Sequence, residues 1–113
     1  MTDRETQDVD AALSRIREQA SLALVRVTAH AHQEMVEEHI LLDDVLVAMR
    51  EAKLVENYPE HKRGACCLVC GRDSNGRYLH IVCTSSLEVV IIITVYEPMF
   101  PKWVTPFERG EAK

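Results

Sequence analysis

The stretch GACCLVCGRDSNGRYLHIVC, residues 64–83, holds all four cysteines of the chain and one of its five histidines. Thiolate and imidazole together are zinc ligands, paired cysteines can close a disulfide, and cysteine also packs as a small apolar residue. Spacing discriminates among the three. Asn75-Gly76 signals a hairpin, because both residues tolerate the positive φ of a type I′ turn. A two-residue loop there pairs Ser74 with Arg77 and sets Gly71 opposite His80, Cys70 opposite Ile81 and Leu68 opposite Cys83. Alternation then puts Cys66, Cys70 and Cys83 on one face with Leu68, Leu79 and Ile81, and Cys67 with His80 on the other. Cys66 and Cys70 would lie about 13 Å apart at roughly 3.3 Å per residue, too far to share one ion whose sulfurs sit about 2.3 Å away. The expectation is four buried thiols with no metal, no cofactor and no disulfide. A loop one residue longer or shorter sets Cys70 opposite His80 and Cys67 opposite Cys83, and reopens the metal question.

A second group of residues suits proton transfer. Tyr78, His80 and Val82 share one face of the hairpin, and the last strand alternates Val89, Ile91, Ile93 and Val95 against Val90, Ile92, Thr94 and Tyr96. The all-aliphatic set belongs against helices. His80, Thr94 and Tyr96 then line an exposed face with the arginines of the basic stretch from His61 to Cys83, which carries Lys62, Arg63, Arg72 and Arg77 against Asp73 alone. His, Tyr and Arg together suit phosphodiester cleavage. One group takes the proton of an attacking 2′-hydroxyl, another protonates the leaving oxygen, and Arg balances phosphate charge. The bland alternative makes His80 a satisfied sheet histidine and Tyr96 a sheet-edge aromatic. Elsewhere, His30 and Glu34 are i, i+4 on one helical face and can pair; THAHQEMVEEH lacks the zinc-protease spacing.

The elements that must position these groups read as helices first and strands second. Val9, Ala12, Leu13, Ile16, Ala20 and Leu24 recur at helical spacing after a cap at Asp8. A second helix starts near Thr28 with Ala31, Met35 and Val36 as its apolar positions. A third, LDDVLVAMREA, carries Asp43 and Asp44 in its first turn, where the helix dipole favours acids. Strands follow at LVENY, ACCLVCG, RYLHIVC and LEVVIIITVY. Pro98, Pro101 and Pro106 argue against regular structure beyond them, and the tail from residue 104 reads as loose. The fold class is α+β, with N-terminal helices on one face of a four-stranded antiparallel sheet.

At 113 residues, 47% hydrophobic and 27% charged, the chain has the make-up of one globular domain. Its net charge of −5 divides unevenly. Residues 1–60 carry 13 acids and 6 bases, and residues 61–113 carry 5 acids and 7 bases. That balance does not suggest broad non-specific DNA binding; the local basic patch can bind phosphate or be no more than a solvated hairpin rim. The polar start and the brevity of VVIIITV predict neither a signal peptide nor a membrane span, hence a cytoplasmic protein.

The pattern THAHQEM, EEHI, DDVLVAM, AKLVENYPE, CLVCGRDSNGRYLHIV, IIITVYEP and KW resembles the bacterial family called domain of unknown function 4258. The resemblance covers residues 26–103, leaving 1–25 as an N-terminal helical extension and 104–113 as the tail. It implies a RelE/ParE-like fold and a toxin of a type II toxin–antitoxin pair. Such a toxin is a metal-independent endoribonuclease acting on mRNA, held by a cognate antitoxin that is often a small zinc-finger protein. Carried over, His30, His80, Thr94 and Tyr96 match the family's polar positions; with the basic stretch, the candidate catalytic residues are His30, His80 and Tyr96 and the candidate substrate-binding residues Arg63, Arg72, Arg77, Thr94 and Glu34. Many members carry RM and ER where this chain has Glu34-Met35 and Glu38-His39. A catalytically inactive protein- or ligand-binding module of the same fold is therefore the second reading.

Overall fold

A computed structural model of the chain describes residues 3–62, 64–86 and 89–110, with side chains from residue 9 onward. Chain order is α1 (Asp3–Ser21), β1 (Val25–Val27), α2 (Ala29–Glu37), α3 (Leu42–Arg50), β2 (Lys53–Tyr58), β3 (Cys66–Arg72), β4 (Tyr78–Thr84), β5 (Val90–Tyr96), β6 (Trp103–Thr105) and β7 (Glu108–Arg109). The main sheet has five strands in the order β1-β5-β4-β3-β2, with β1 parallel to β5 and the other pairs antiparallel. The expected sheet of four antiparallel strands is thus corrected to a mixed sheet of five. The added strand, Val25–Val27, extends against Val90 and Ile92 because α1 stops at Ser21 and Ala23 takes φ 57° to redirect the chain. At its other end α1 begins by Asp3, so Asp8 lies inside the helix rather than capping it.

The helices cover one face of the sheet. Ile16 and Ala20 of α1, Ala31 and Met35 of α2, and Val45, Leu46, Ala48 and Met49 of α3 pack with Cys67, Val69, Leu79, Ile81, Cys83, Val90, Ile92 and Val95. Hydrophobic burial of this kind contributes roughly 25 cal/mol per Å² and is what fixes the helices to the sheet. Side chains of α1 also reach the starts of β2 and β5. Arg17 donates twice to the Ala52 carbonyl at 3.0 and 2.8 Å, and Gln19 accepts from the Val90 N–H at 2.8 Å. Among the described residues no helix is long and apolar enough to cross a membrane.

The hairpin joining β3 to β4 differs from expectation by one register step. Gly76 has φ 85°, but among the described residues Asn75 has no positive φ, so the turn is not type I′. Asp73 explains why. Its buried carboxylate accepts from the Asn75 and Arg77 N–H groups at 2.9 Å each, and the Gly76 N–H bonds the Asp73 carbonyl at 3.0 Å. The loop is therefore a type I turn closed by a left-handed glycine, with three residues between Asp73 and Arg77. Cys70 now lies opposite His80, Cys67 opposite Cys83 and Leu68 opposite Val82. Cys67 and Cys83 face the helices, while Cys66, Leu68, Cys70 and His80 share the other face; the expected partition of Cys66, Cys67, Leu68 and Cys70 is reversed.

A bulge in β5 produces the second difference. Ile81 pairs with Val95 and Cys83 with Ile92, so one residue is inserted between them. The strand changes face there. Val90, Ile92 and Val95 enter the helix-side core, and the predicted all-aliphatic face of Val89, Ile91, Ile93 and Val95 does not form. Thr28 holds the bulge: its N–H bonds the Ile92 carbonyl at 3.0 Å, its hydroxyl donates to the Ile93 carbonyl at 3.3 Å, and the same oxygen caps α2 by accepting from the Ala31 N–H at 3.1 Å.

Candidate functional site

The sheet face away from the helices carries the proton-transfer residues. His80 on β4 and Tyr96 on β5 are direct cross-strand partners, and the Tyr96 hydroxyl lies 3.0 Å from His80 Nδ1. Thr94 shares this face, opposite Val82. From β2, Glu56 and Tyr58 project onto the same side, being paired with Leu68 and Cys66.

This face is not open at its centre. Residues 98–110, expected to be irregular or loose, return across it, and β6 pairs with β7 as a two-stranded hairpin. We refer to residues 103–109 as the strap. Trp103 is buried and packs edge-on to the His80 ring at 4.4 Å between centroids. His80 Nε2 donates to the Pro106 carbonyl at 2.6 Å. Because Nε2 must carry the proton for that bond, Nδ1 is the acceptor for Tyr96. His80 has no exposed surface, which corrects its expected place on an open face. Prolines at 98, 101 and 106 did not prevent this, since short strands interrupted by turns need few ladder bonds.

An ion pair anchors the strap's far end. Arg109 grips Glu56 through Nε at 2.6 Å and Nη2 at 2.9 Å, Tyr58 donates to Glu56, and the Arg109 guanidinium stacks over Trp103 at 4.7 Å. The Arg109 guanidinium holds the Glu56 carboxyl down at about 2, against the contrary effect of burial. Burial and the Glu56 contact push the Tyr58 hydroxyl up to about 12. The strap and the segment leading into it also expose apolar residues, Val104 and Phe107 in the strap and Met99 and Phe100 before it.

Burial holds the His80 imidazole below its ordinary range, only partly offset by the Pro106 carbonyl and the Glu56 charge. A histidine whose folded pKa is depressed contributes stability that is complete above the unfolded value of about 6.5 and is lost as pH falls toward the folded value. Melting temperature is therefore expected to fall between pH 7 and 5, and His80→Gln should flatten that slope. Thermal melts across this window check it; equal slopes in the two proteins would show that other groups carry the dependence.

The remaining expected site residues are dispersed. His30 is exposed and pairs with Glu34 at 3.4 Å rather than with His80 or Tyr96. Glu34 accepts from the Val95 N–H at 2.9 Å, and Glu38 accepts from the Glu97 N–H at 2.9 Å. These two acids seal the edge of β5 beyond the reach of β1. Arg77 is also engaged in structure. It bonds Asp73 at 3.3 Å and the carbonyls of Glu38 and His39 at 3.2 Å each, tying the hairpin loop to the C-terminus of α2. Arg72 is exposed, with its guanidinium 5.2 Å over the Tyr78 ring, and exposed Lys102 lies 6.0 Å over the Tyr96 ring. Arg63 lies outside the described residues. Sequence reasoning missed Glu56, Tyr58, Trp103, Pro106 and Arg109. The alternation of Glu56 and Tyr58 in β2 was a readable signal for two of them.

The observed register brings Cys70 beside His80 and Cys67 beside Cys83, but on opposite faces of the sheet, so the two pairs cannot close around one ion. Among the described residues no group of three or more His, Cys, Asp or Glu converges.

Residues 27–97 match the family described as Domain of unknown function (DUF4258). No curated protein and no solved structure matches the chain.

Proposed function

The chain belongs to the family described as Domain of unknown function (DUF4258), and on that premise we propose that it is a RelE/ParE-like toxin of a type II pair. Its activity would be metal-independent cleavage of mRNA in the cytoplasm, and its described conformation is a closed one. The observation that carries this reading is the His80–Tyr96 pair. Tyr96 already aims its proton at His80 Nδ1, and the strap that covers them lies beyond the residues matched to the family.

Chemistry follows from that alignment once the strap lifts. The Tyr96 oxygen takes the proton of the attacking 2′-hydroxyl while its own proton passes to His80 Nδ1. The 2′-oxygen attacks phosphorus, and His80 Nε2 gives its proton to the departing 5′-oxygen. Away from burial, the imidazole returns toward its ordinary range and can cycle near neutral pH. Arg72 and Lys102 flank the pair as counter-charges for phosphate. A cognate antitoxin would hold the closed form or replace the strap.

The second reading, a catalytically inactive binding module, is favoured by one observation: both His80 ring nitrogens are satisfied within the fold and the ring has no exposed surface. Arg109→Glu separates the two. It sets two acids against each other at a half-exposed anchor and touches no residue of the helix-side core. The toxin reading expects faster mRNA cleavage and stronger growth arrest than wild type. Absence of cleavage by both proteins would promote the binding module.

A further inference from the structure

We propose that Cys67 and Cys83 are a redox-active pair that closes to a cross-strand disulfide when the protein meets a peroxide. The pair lies on the helix side of the sheet and is independent of the ribonuclease reading. Its geometry comes from the corrected register. The Asp73–Arg77 and Ser85–Ala65 backbone bonds frame the β3–β4 ladder at odd-numbered pairs, and Cys67–Cys83 is one of these. Hydrogen-bonded antiparallel partners hold their Cα atoms about 5.5 Å apart, within the roughly 4.4–6.8 Å that a disulfide spans.

Two features make the thiols unequal. Cys67 retains a trace of exposure at 3%, whereas Cys83 has none. Arg15 of α1 donates to the Ser85 carbonyl beside the pair, and its Nε is buried without a partner among the described residues. The neighbouring Cys83 thiol and, less strongly, the Arg15 charge lower the Cys67 thiol against the contrary effect of burial, while contact with Cys67 and burial raise Cys83. With its trace of exposure and Arg15 held beside the pair, Cys67 is the attacking thiol and Cys83 the resolving one. The other two cysteines have different surroundings. The Cys66 sulfur contacts the Gly64 carbonyl at 3.3 Å, and burial pushes Cys70 up to about 11.

The step balances with a peroxide as oxidant. Cys67 thiolate attacks one peroxide oxygen, the O–O bond breaks, and hydroxide leaves, giving a sulfenic acid. Cys83 then attacks the Cys67 sulfur, forming the S–S bond and releasing water. Two thiols lose two electrons, and the peroxide gains them.

The test treats the reduced full chain with hydrogen peroxide. The expected result is a fall from four titratable thiols to two, with peptide mapping that links Cys67 to Cys83 and full reversal by dithiothreitol. Cys83→Ser should trap a dimedone-reactive sulfenic acid at Cys67, and Arg15→Gln should slow oxidation about tenfold by removing the cation that favours thiolate. Retention of four thiols at peroxide levels that oxidise the denatured chain overturns the proposal, as does a linkage that includes Cys66 or Cys70. An unchanged rate in Arg15→Gln overturns Cys67 as the attacking thiol. Mapping on the wild-type protein decides the matter if a serine variant does not fold.

Discussion

His80→Ala is expected to abolish RNA cleavage and also to melt well below the wild type. Loss of a positioned acid–base group typically removes a factor of about 10²–10⁴ in rate. The stability loss has a separate origin. Removing a fully buried ring leaves a void beside Trp103 and strips the Tyr96 hydroxyl and the Pro106 carbonyl of their partner. The two partners are only partly buried, so most of the loss comes from the void left by the ring, and a total of about 2–3 kcal/mol is expected. Inactivity in the alanine variant alone would therefore not identify a catalytic residue. His80→Gln keeps a donor for the Pro106 carbonyl while removing the titrating ring. Cleavage and denaturant melts measured on both variants separate the roles. A stable glutamine variant that cleaves RNA as well as the wild type would remove His80 from the chemistry.

Gly71→Ala should destabilise the fold by at least about 3 kcal/mol and leave little folded protein at 37 °C. A Cβ at this position would sit 1.9 Å from the Ala48 backbone oxygen and 2.7 Å from its carbonyl carbon. Neither is a side-chain end that can swing aside. The obstacle is α3 itself, so accommodation requires the helix to move off β3, opening the core among Val45, Met49, Val69 and Leu79. Circular dichroism during denaturant titration checks this. A midpoint unchanged from wild type would mean that α3 is free to slide over the sheet.

Much of the local structure was legible in the chain. Apolar periodicity located α2 and α3 closely, α2 starts beside Thr28 as expected, and β2 to β5 arose where alternation and turn residues placed them. These features depend on interactions within a few residues, which a sequence displays directly. The cross-strand meeting of His80 and Tyr96 was also within reach, because both lie on strands that pair through a short connection.

What the sequence left open were choices made by distant partners. The Asp73 carboxylate selected a type I turn over type I′ and shifted every cysteine and His80 by one pairing step. Thr28, more than sixty residues away along the chain, seats the bulge that turns Val95 inward. The strap is the clearest case. Residues 103–109 have too few ladder bonds to announce themselves as structure, and Pro98, Pro101 and Pro106 in and before them argue against it. They are ordered by Glu56, His80 and Tyr58 on other strands. Chain neighbours decide whether a segment is helix or strand; only the assembled sheet decides which face a residue occupies and what covers it, since a one-residue step reverses every side chain and its cost is set by contacts made elsewhere.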